Sequence, residues 1–209
     1  MPAPAASSVT VTGGSGKIFG ILTGGLITIG GRNLTFAGGN TALGDNIVVN
    51  GGGGTVFNGD PLMIAAPQTI TGNYDQSAAG VLDFGIAGDM TGQYGSLAIT
   101  GFATLDGGLA LDLLDGFRLA AGDSFDFLSY SGFSGGFSNV SIDGAACTAR
   151  GGDVWTCSAG FTLNLALGDG GLDLGVKSIP EPSTWALLAT GFLGLAGLGL
   201  RARRRASPV

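Results

Sequence analysis

The stretch GFATLDGGLALDLLDGF, residues 101–117, decides the fold. Within it, Leu109, Leu111 and Leu113 occupy every second position, and Asp112 lies between the last two. Successive side chains of a β-strand point to opposite sides, so the three leucines share one face and Asp112 points away from it. This alternation predicts a strand with one buried and one exposed face.

Short alternating runs separated by glycine continue on both sides of this stretch. Residues 161–167 place Phe161 and three leucines on one face, and Leu172, Leu174 and Val176 repeat the pattern. No stretch before residue 183 has apolar residues at helical spacing. The sequence therefore predicts an all-β body. Its strands are expected at LITI (26–29), NLTF (33–36), NIVV (46–49), TVF (55–57), VLDFGIAG (81–88), SLAIT (96–100), ATLDGGLALDL (103–113), SFDFL (124–128) and FTLNLALG (161–168).

Two β architectures fit this spacing. Strand signals every 8–12 residues are typical of a sandwich or barrel, whereas rungs of about 20 residues with Gly and Asn at the corners are typical of a parallel β-helix. Glycine supplies 42 of the 209 residues. Because the corners of a coil need close backbone approach or positive φ, this abundance of glycine favours the parallel β-helix. We predict a glycine-rich parallel β-helix or solenoid-like body, with a β-sandwich as the alternative.

Composition excludes several classes of function. The chain has no His and a single Glu, Glu181, so Ser-His and Cys-His catalytic pairs are impossible. Residues 1–179 contain fourteen Asp against five Lys or Arg, a balance of −9. Such an acidic body repels the phosphate backbone, so we predict no nucleic-acid partner.

Aspartate pairs are the remaining candidates for catalysis, by analogy with polysaccharide-cleaving enzymes. The pairs are Asp112 with Asp115 and Asp123 with Asp126. Asp112 and Asp126 alternate with apolar neighbours, and the other two adjoin glycine in turn settings. We therefore assign them to exposed faces and turns, and predict that the protein is not an enzyme.

No cofactor or metal site is predicted. The GGSGK at 13–17 lacks the Ser or Thr that a phosphate-binding loop needs after its Lys. The Gly-Asp stretches 38–46 and 168–175 are single and imperfect, whereas calcium-binding repeats of this kind occur in tandem.

The two cysteines enclose CTARGGDVWTC, residues 147–157. Gly-Gly-Asp in the middle predicts a hairpin whose arms bring Cys147 and Cys157 together. We predict a disulfide, because other features indicate an exported protein; two free buried thiols are the alternative.

The end of the chain predicts a membrane helix. From Pro182 to Leu200 there are 19 uncharged residues, and a helix of that length spans about 28 Å, close to the roughly 30 Å of a bilayer core. We place this helix at 183–200, with Trp185 at the interface. A basic cluster follows and predicts a cytoplasmic C-terminus with the body outside. The cluster consists of Arg201, Arg203, Arg204 and Arg205.

The order Pro180-Glu181-Pro182, apolar span and arginine cluster resembles the PEP-CTERM sorting signal of Gram-negative bacteria. The resemblance covers residues 180–205. It implies recognition by an exosortase near the Pro-Glu-Pro motif, removal of the anchor, and transfer of the body to the cell surface or extracellular polysaccharide matrix. The chain would then be a substrate of that enzyme.

Residues 72–128 resemble the C-terminal rungs of bacterial autotransporter-type passenger proteins. The pattern is Tyr-x-Gln-x-x-x-Gly, then Gly-x-Ala-x-Leu with a later Gly-Leu, then Gly-Asp-x-Phe. This resemblance implies a right-handed parallel β-helix on the cell surface. The matching positions are Tyr74, Gln76, Gly80, Gly101, Ala103, Leu105, Gly108, Leu109, Gly122, Asp123 and Phe125.

Three segments follow from these patterns. They are a flexible N-terminal segment (1–12), an extracytoplasmic β-rich domain (13–179) and the sorting signal (180–209). Residues 1–12 lack the positive start and apolar run of a secretory leader, so we expect the leader to lie upstream of Met1 in the gene.

The predicted function is that of an exported structural or adhesive protein of the cell surface or extracellular matrix. Its expected partners are an exosortase, the inner membrane transiently, and extracellular polysaccharide. The alternatives are a membrane-anchored periplasmic binding module and a carbohydrate-active β-helix enzyme.

Overall fold

A computed structural model describes residues 9–11, 15–18, 21–29, 33–36, 41–49, 52–157, 161–168 and 170–178. These residues form β-strands joined by turns, and no α-helix occurs among them. The all-β class expected from the alternating leucines is confirmed.

Six strands stack in parallel to form the first face of the molecule, called face I. Their backbones pair in register, so that Val56 lies between Leu34 and Tyr74 of the neighbouring strands. Face I consists of β2 (Ser15–Ile18), β4 (Asn33–Phe36), β6 (Thr55–Asn58), β9 (Asn73–Gln76), β12 (Phe102–Leu105) and β15 (Gly132–Gly135).

A second, longer sheet supplies two more faces. Its strands β3 (Ile21–Ile29) and β5 (Thr41–Val49) contribute their first halves to face II and their second halves to face III. Face II continues through β7 (Pro61–Ile64), β10 (Val81–Ile86), β13 (Gly108–Leu113) and β16 (Asn139–Ile142). Face III contains β1 (Val9–Val11), β8 (Pro67–Thr71), β11 (Ser96–Ile99) and β14 (Ser124–Ser129).

The chain visits faces I, II and III in that order and then returns to face I, one rung further along. Residues 55–72, 73–101 and 102–131 are three such rungs. Neighbouring rungs pair in parallel on every face. A sandwich of antiparallel sheets would not give these pairings, whereas a parallel β-helix or solenoid does.

The core fills the inside of the coil. Leu109 and Leu111 are buried and Leu113 is half-buried, so the face that the three leucines share lies toward the core. Aromatic rings stack between rungs, with Phe84 and Phe127 centred 4.8 Å apart and Tyr94 meeting Phe127 edge-on at 5.8 Å. Such contacts add to the stabilisation from buried area and hold successive rungs in register.

Antiparallel strands cap the C-terminal end of the coil. β21 (Gly171–Ser178) pairs antiparallel with β14, and a meander leads outward from it. The meander strands are β20 (Phe161–Gly168), β19 (Val154–Cys157) and β18 (Thr148–Gly151), and the short β17 (Ala145–Ala146) pairs with β16. Buried Leu163, Leu165 and Leu174 give this cap an apolar inner side.

β1 lies within the N-terminal segment 1–12 and pairs with Ile27–Ile29. The expected bounds and flexibility of that segment stay a prediction. The run 103–113 breaks into β12 and β13, because Gly107 takes a φ of 65° and turns the chain.

The expected membrane helix at 183–200 lies outside the described residues. In the described β body there is no helix long and apolar enough to cross a bilayer.

Candidate functional site

The residues of the predicted sorting signal lie outside the described part of the chain. They are Pro180, Glu181 and Pro182 of the motif, Trp185, and Arg201, Arg203, Arg204 and Arg205. Their assignment stays a prediction from the sequence.

Cys147 and Cys157 are joined by a disulfide in the structure. Their Cα atoms lie 4.2 Å apart. The next pair inward, Thr148 and Thr156, lies directly opposite across the β18–β19 hairpin. The bond therefore closes the open end of this hairpin and holds it beside β16, whose Val140 carbonyl accepts from the Cys147 N–H at 2.8 Å.

The Tyr-x-Gln positions of the autotransporter-like pattern form a buried polar network between faces I and II. Asn58, Tyr74 and Gln76 are each about 1% exposed. The Tyr74 hydroxyl accepts from Asn58 Nδ2 and donates to Gln76 Oε1, both at 3.0 Å. Burial raises the pKa of Tyr74, so the phenol remains a neutral donor.

Gln76 carries this network into the next rung. Its Nε2 donates to the carbonyls of Gly80 at 3.2 Å and Gly108 at 2.9 Å, and also to that of Asp106. Asp106 and Gly80 lie in corners outside the strands, and the Gly80 carbonyl also accepts from the Gly108 N–H at 2.9 Å. A buried carbonyl without a donor is costly, so this one amide stabilises two successive corners.

Gly80 of the same pattern is needed for space. A Cβ at this position would lie 2.5 Å from the Asn58 carbonyl oxygen and 2.8 Å from Gln76 Cγ. Any side chain there would displace the network. The matched positions Tyr74, Gln76 and Gly80 therefore have a structural role in this chain.

The aspartate pairs considered for catalysis have other partners in the structure. Asp112 of β13 interacts with Asp83 of the neighbouring β10, and Asp126 of β14 lies directly opposite Asp173 of β21. Asp115 has a φ of 51° in a turn. Asp123 accepts from the Ala120 N–H at 2.7 Å and shapes a loop.

Both observed pairs place like charges on adjacent strands. Burial, then the charge of Asp112 and a hydrogen bond with it, raises the pKa of Asp83 to about 6. Asp83 Oδ1 is buried and has no hydrogen-bond partner among the described residues. Desolvation, then the hydrogen bond and charge of Asp126, raises the pKa of Asp173. Within the described chain, no three acidic or cysteine side chains converge as a metal site would require.

The raised pKa of Asp83 predicts a dependence of stability on pH. The native state favours the protonated carboxyl, so its stabilisation is complete below pH 4 and is lost as the pH rises through about 6. Because Asp83 is only half-buried, we expect the effect to be about 1 kcal/mol after allowing for solvent screening. Asp83→Asn should therefore stabilise the protein at pH 7.5 by about this amount and leave it unchanged at pH 4.

Urea unfolding of the full chain in mild detergent at both pH values measures this difference. Asp89→Asn, in an exposed loop, is the matched control. Equal pH profiles for Asp83→Asn and the wild type would contradict the prediction.

The long loops of the coil gather at one corner, between faces II and III. In one rung this corner is turned by residues 65–66 alone, but in the next two rungs it carries residues 87–95 and 114–123. In solenoids, insertions into successive repeats often build a binding face.

A cleft of about 640 Å³ lies at this corner. Its wall comes from the 114–123 loop, the ends of β13 and β16, and the start of β20. The lining residues are Leu113, Gly116, Phe117, Arg118, Leu119, Ile142, Asp143 and Phe161. None of them is predicted as a site residue from the sequence, although LDGFRLAAGD, residues 114–123, separates two predicted strands and could have drawn attention to this corner.

Comparison with known families identifies the end of the chain. Residues 178–205 match the family model of the PEP-CTERM protein-sorting motif. No curated protein and no solved structure matches the chain significantly. The resemblance of residues 72–128 to autotransporter passenger rungs therefore stays a prediction, whereas the match at the C-terminus supports an exported protein with an exosortase-targeted sorting signal.

Proposed function

We propose that this chain is an exported structural or adhesive protein, delivered to the cell surface or extracellular matrix after an exosortase has processed its C-terminal signal. The match of residues 178–205 to the sorting motif carries the proposal. It supports a secreted protein that is anchored in the membrane. The protein is then anchored in the inner membrane only until the exosortase processes it.

The β body is suited to such a role outside the cell. Its parallel rungs are held by ladders along all three faces, and a disulfide secures the capped end. Disulfides persist in oxidising compartments, which agrees with export. The observed carboxyl pairs lie side by side on neighbouring strands of the body. We propose that the protein is not an enzyme.

The test is to express the chain in a host that contains an exosortase and compare it with Glu181→Ala. Wild-type protein should lose its C-terminal residues and leave the inner-membrane fraction, while the variant should remain there at full length. Thr184→Ala, two residues beyond the motif, is the control and should behave as wild type. Mass spectrometry of the mature C-terminus and cell fractionation provide the readouts. Uncleaved wild-type protein in the inner membrane would favour the anchored binding module instead.

A further inference from the structure

The cleft at the corner between faces II and III has an ordered wall. The Gly122 N–H donates to the Val176 carbonyl, and the Val176 N–H donates to the Asp123 carbonyl, both at 2.9 Å. The Asp123 carboxylate closes the loop by accepting from Ala120. Leu119 is 5% exposed and anchors the loop in the core. The loop is therefore fixed to the cap before any ligand arrives, which lowers the entropic cost of binding.

The floor of the cleft is apolar and partly aromatic. Leu113, Phe117 and Phe161 are half-buried, and all three line the cleft. The Phe117 ring meets Phe125 edge-on at 6.5 Å, which holds it in place. Phenyl faces in an open cleft can receive a flat apolar surface of a ligand.

The rim of the cleft carries one cation and one carboxylate. Arg118 is exposed and makes no ion pair with any described residue, although the body is rich in aspartate. Asp143 accepts from the Leu113 N–H at 2.8 Å through Oδ1, which leaves Oδ2 as an acceptor for a ligand. The guanidinium offers paired donors that match a carboxylate.

We propose that this cleft binds a saccharide that bears a carboxylate, such as a uronic acid unit. The C–H face of the sugar ring would lie on Phe117 and Phe161, its carboxylate would pair with Arg118, and a hydroxyl would donate to Asp143. A fatty acid lacks the hydroxyl donors that Asp143 requires, and inorganic phosphate lacks the apolar face. The volume of about 640 Å³ lies within the usual range of roughly 300–1,000 Å³ for small-ligand sites.

Calorimetric titration of the purified full chain with trigalacturonic acid tests this proposal. The neutral comparison ligand is its methyl ester, which keeps the rings and removes the charge. The measurements are made in about 0.15 M salt, where the Debye length is about 8 Å and the charges of distant aspartates are screened. We expect saturable binding of the acid, and binding of the ester about threefold to fivefold weaker, since an exposed ion pair contributes up to about 1 kcal/mol.

Two arginine variants locate the site. Arg118→Gln should weaken binding of the acid about threefold to fivefold. Arg150→Gln should leave it unchanged, because Arg150 lies on the β18–β19 hairpin and outside the cleft. Phe117→Leu should weaken acid and ester alike. Absence of saturable binding, equal binding of acid and ester, or equal effects of the two arginine variants would each overturn the proposal. None of these measurements depends on sorting, so this proposal and the sorting proposal can fail separately.

Discussion

Substitution of Gln76 by leucine is expected to lower the free energy of unfolding by about 3–5 kcal/mol, because several buried polar groups lose their partner at once. The Asp106 carbonyl would lose its donor, and the Tyr74 hydroxyl would lose its acceptor. The Gly80 and Gly108 carbonyls would each lose one contact, although the Gly80 carbonyl still accepts from the Gly108 N–H. Each buried group left without a partner costs about 1–3 kcal/mol, partly offset by the added apolar side chain. A domain stable by roughly 5–15 kcal/mol would then be close to unfolding.

Urea unfolding followed by circular dichroism measures this loss. Gln68→Leu is the matched control, since Gln68 lies on β8 of face III, is only half-buried, and takes no part in the network. The control should change stability by less than about 0.5 kcal/mol, as is usual for surface substitutions. Similar midpoints for the two variants would show that the network does not stabilise the corner between faces I and II.

Removal of the disulfide is the second large change. The variant Cys147→Ala/Cys157→Ala should be less stable than the oxidised wild type by about 2–3 kcal/mol, since a bond between residues ten apart restricts the unfolded chain. The loss should be concentrated in the cap, because the bond joins the end of β19 to the segment after β17. Hydrogen exchange should accelerate most in Thr148–Gly151 and Val154–Cys157.

Reductant provides the control for this prediction. It should destabilise the wild type to the level of the double variant and leave the double variant unaffected. Complete alkylation of both thiols in wild-type protein without reductant would contradict the disulfide itself.

The sequence located many strands of the coil. NLTF (33–36) and FTLNLALG (161–168) coincide with β4 and β20. Leu172, Leu174 and Val176 are buried and Asp173 is exposed, as their alternation predicted. This pattern is local, because a strand that packs one side against a core must alternate whatever its neighbours are.

Whether neighbouring strands pair in parallel or antiparallel was harder to predict from the sequence. Alternation is the same in parallel and antiparallel strands, so nothing in FTLNLALG distinguishes the antiparallel cap from another rung of the coil. The position of the antiparallel cap depends on which strand edge remains unpaired after the last rung. That edge is set by the folding of the whole chain.

Some of the candidate sites could be predicted from the sequence, whereas others depend on the fold. The pairing of Cys147 with Cys157 could be predicted from the sequence, because both cysteines flank one short predicted hairpin. Asp83 and Asp112 come together only through the register of successive rungs. Phe117 and Phe161 line one cleft only because the cap lies against the end of the coil. No spacing in the sequence shows that register, since the lengths of successive rungs differ.

The sequence by itself determined the all-β class, the half-buried strands and the sorting signal at residues 178–205. Each depends on residues that are contiguous in the chain: the strands through local alternation, and the signal through a short linear motif. The tertiary structure alone decided what Gln76 does, which carboxyls face each other, and that the 114–123 loop, the ends of β13 and β16 and the cap enclose a cleft. The physical reason is that each of these depends on groups from different rungs, and coiling the chain brings those groups within hydrogen-bonding or contact distance.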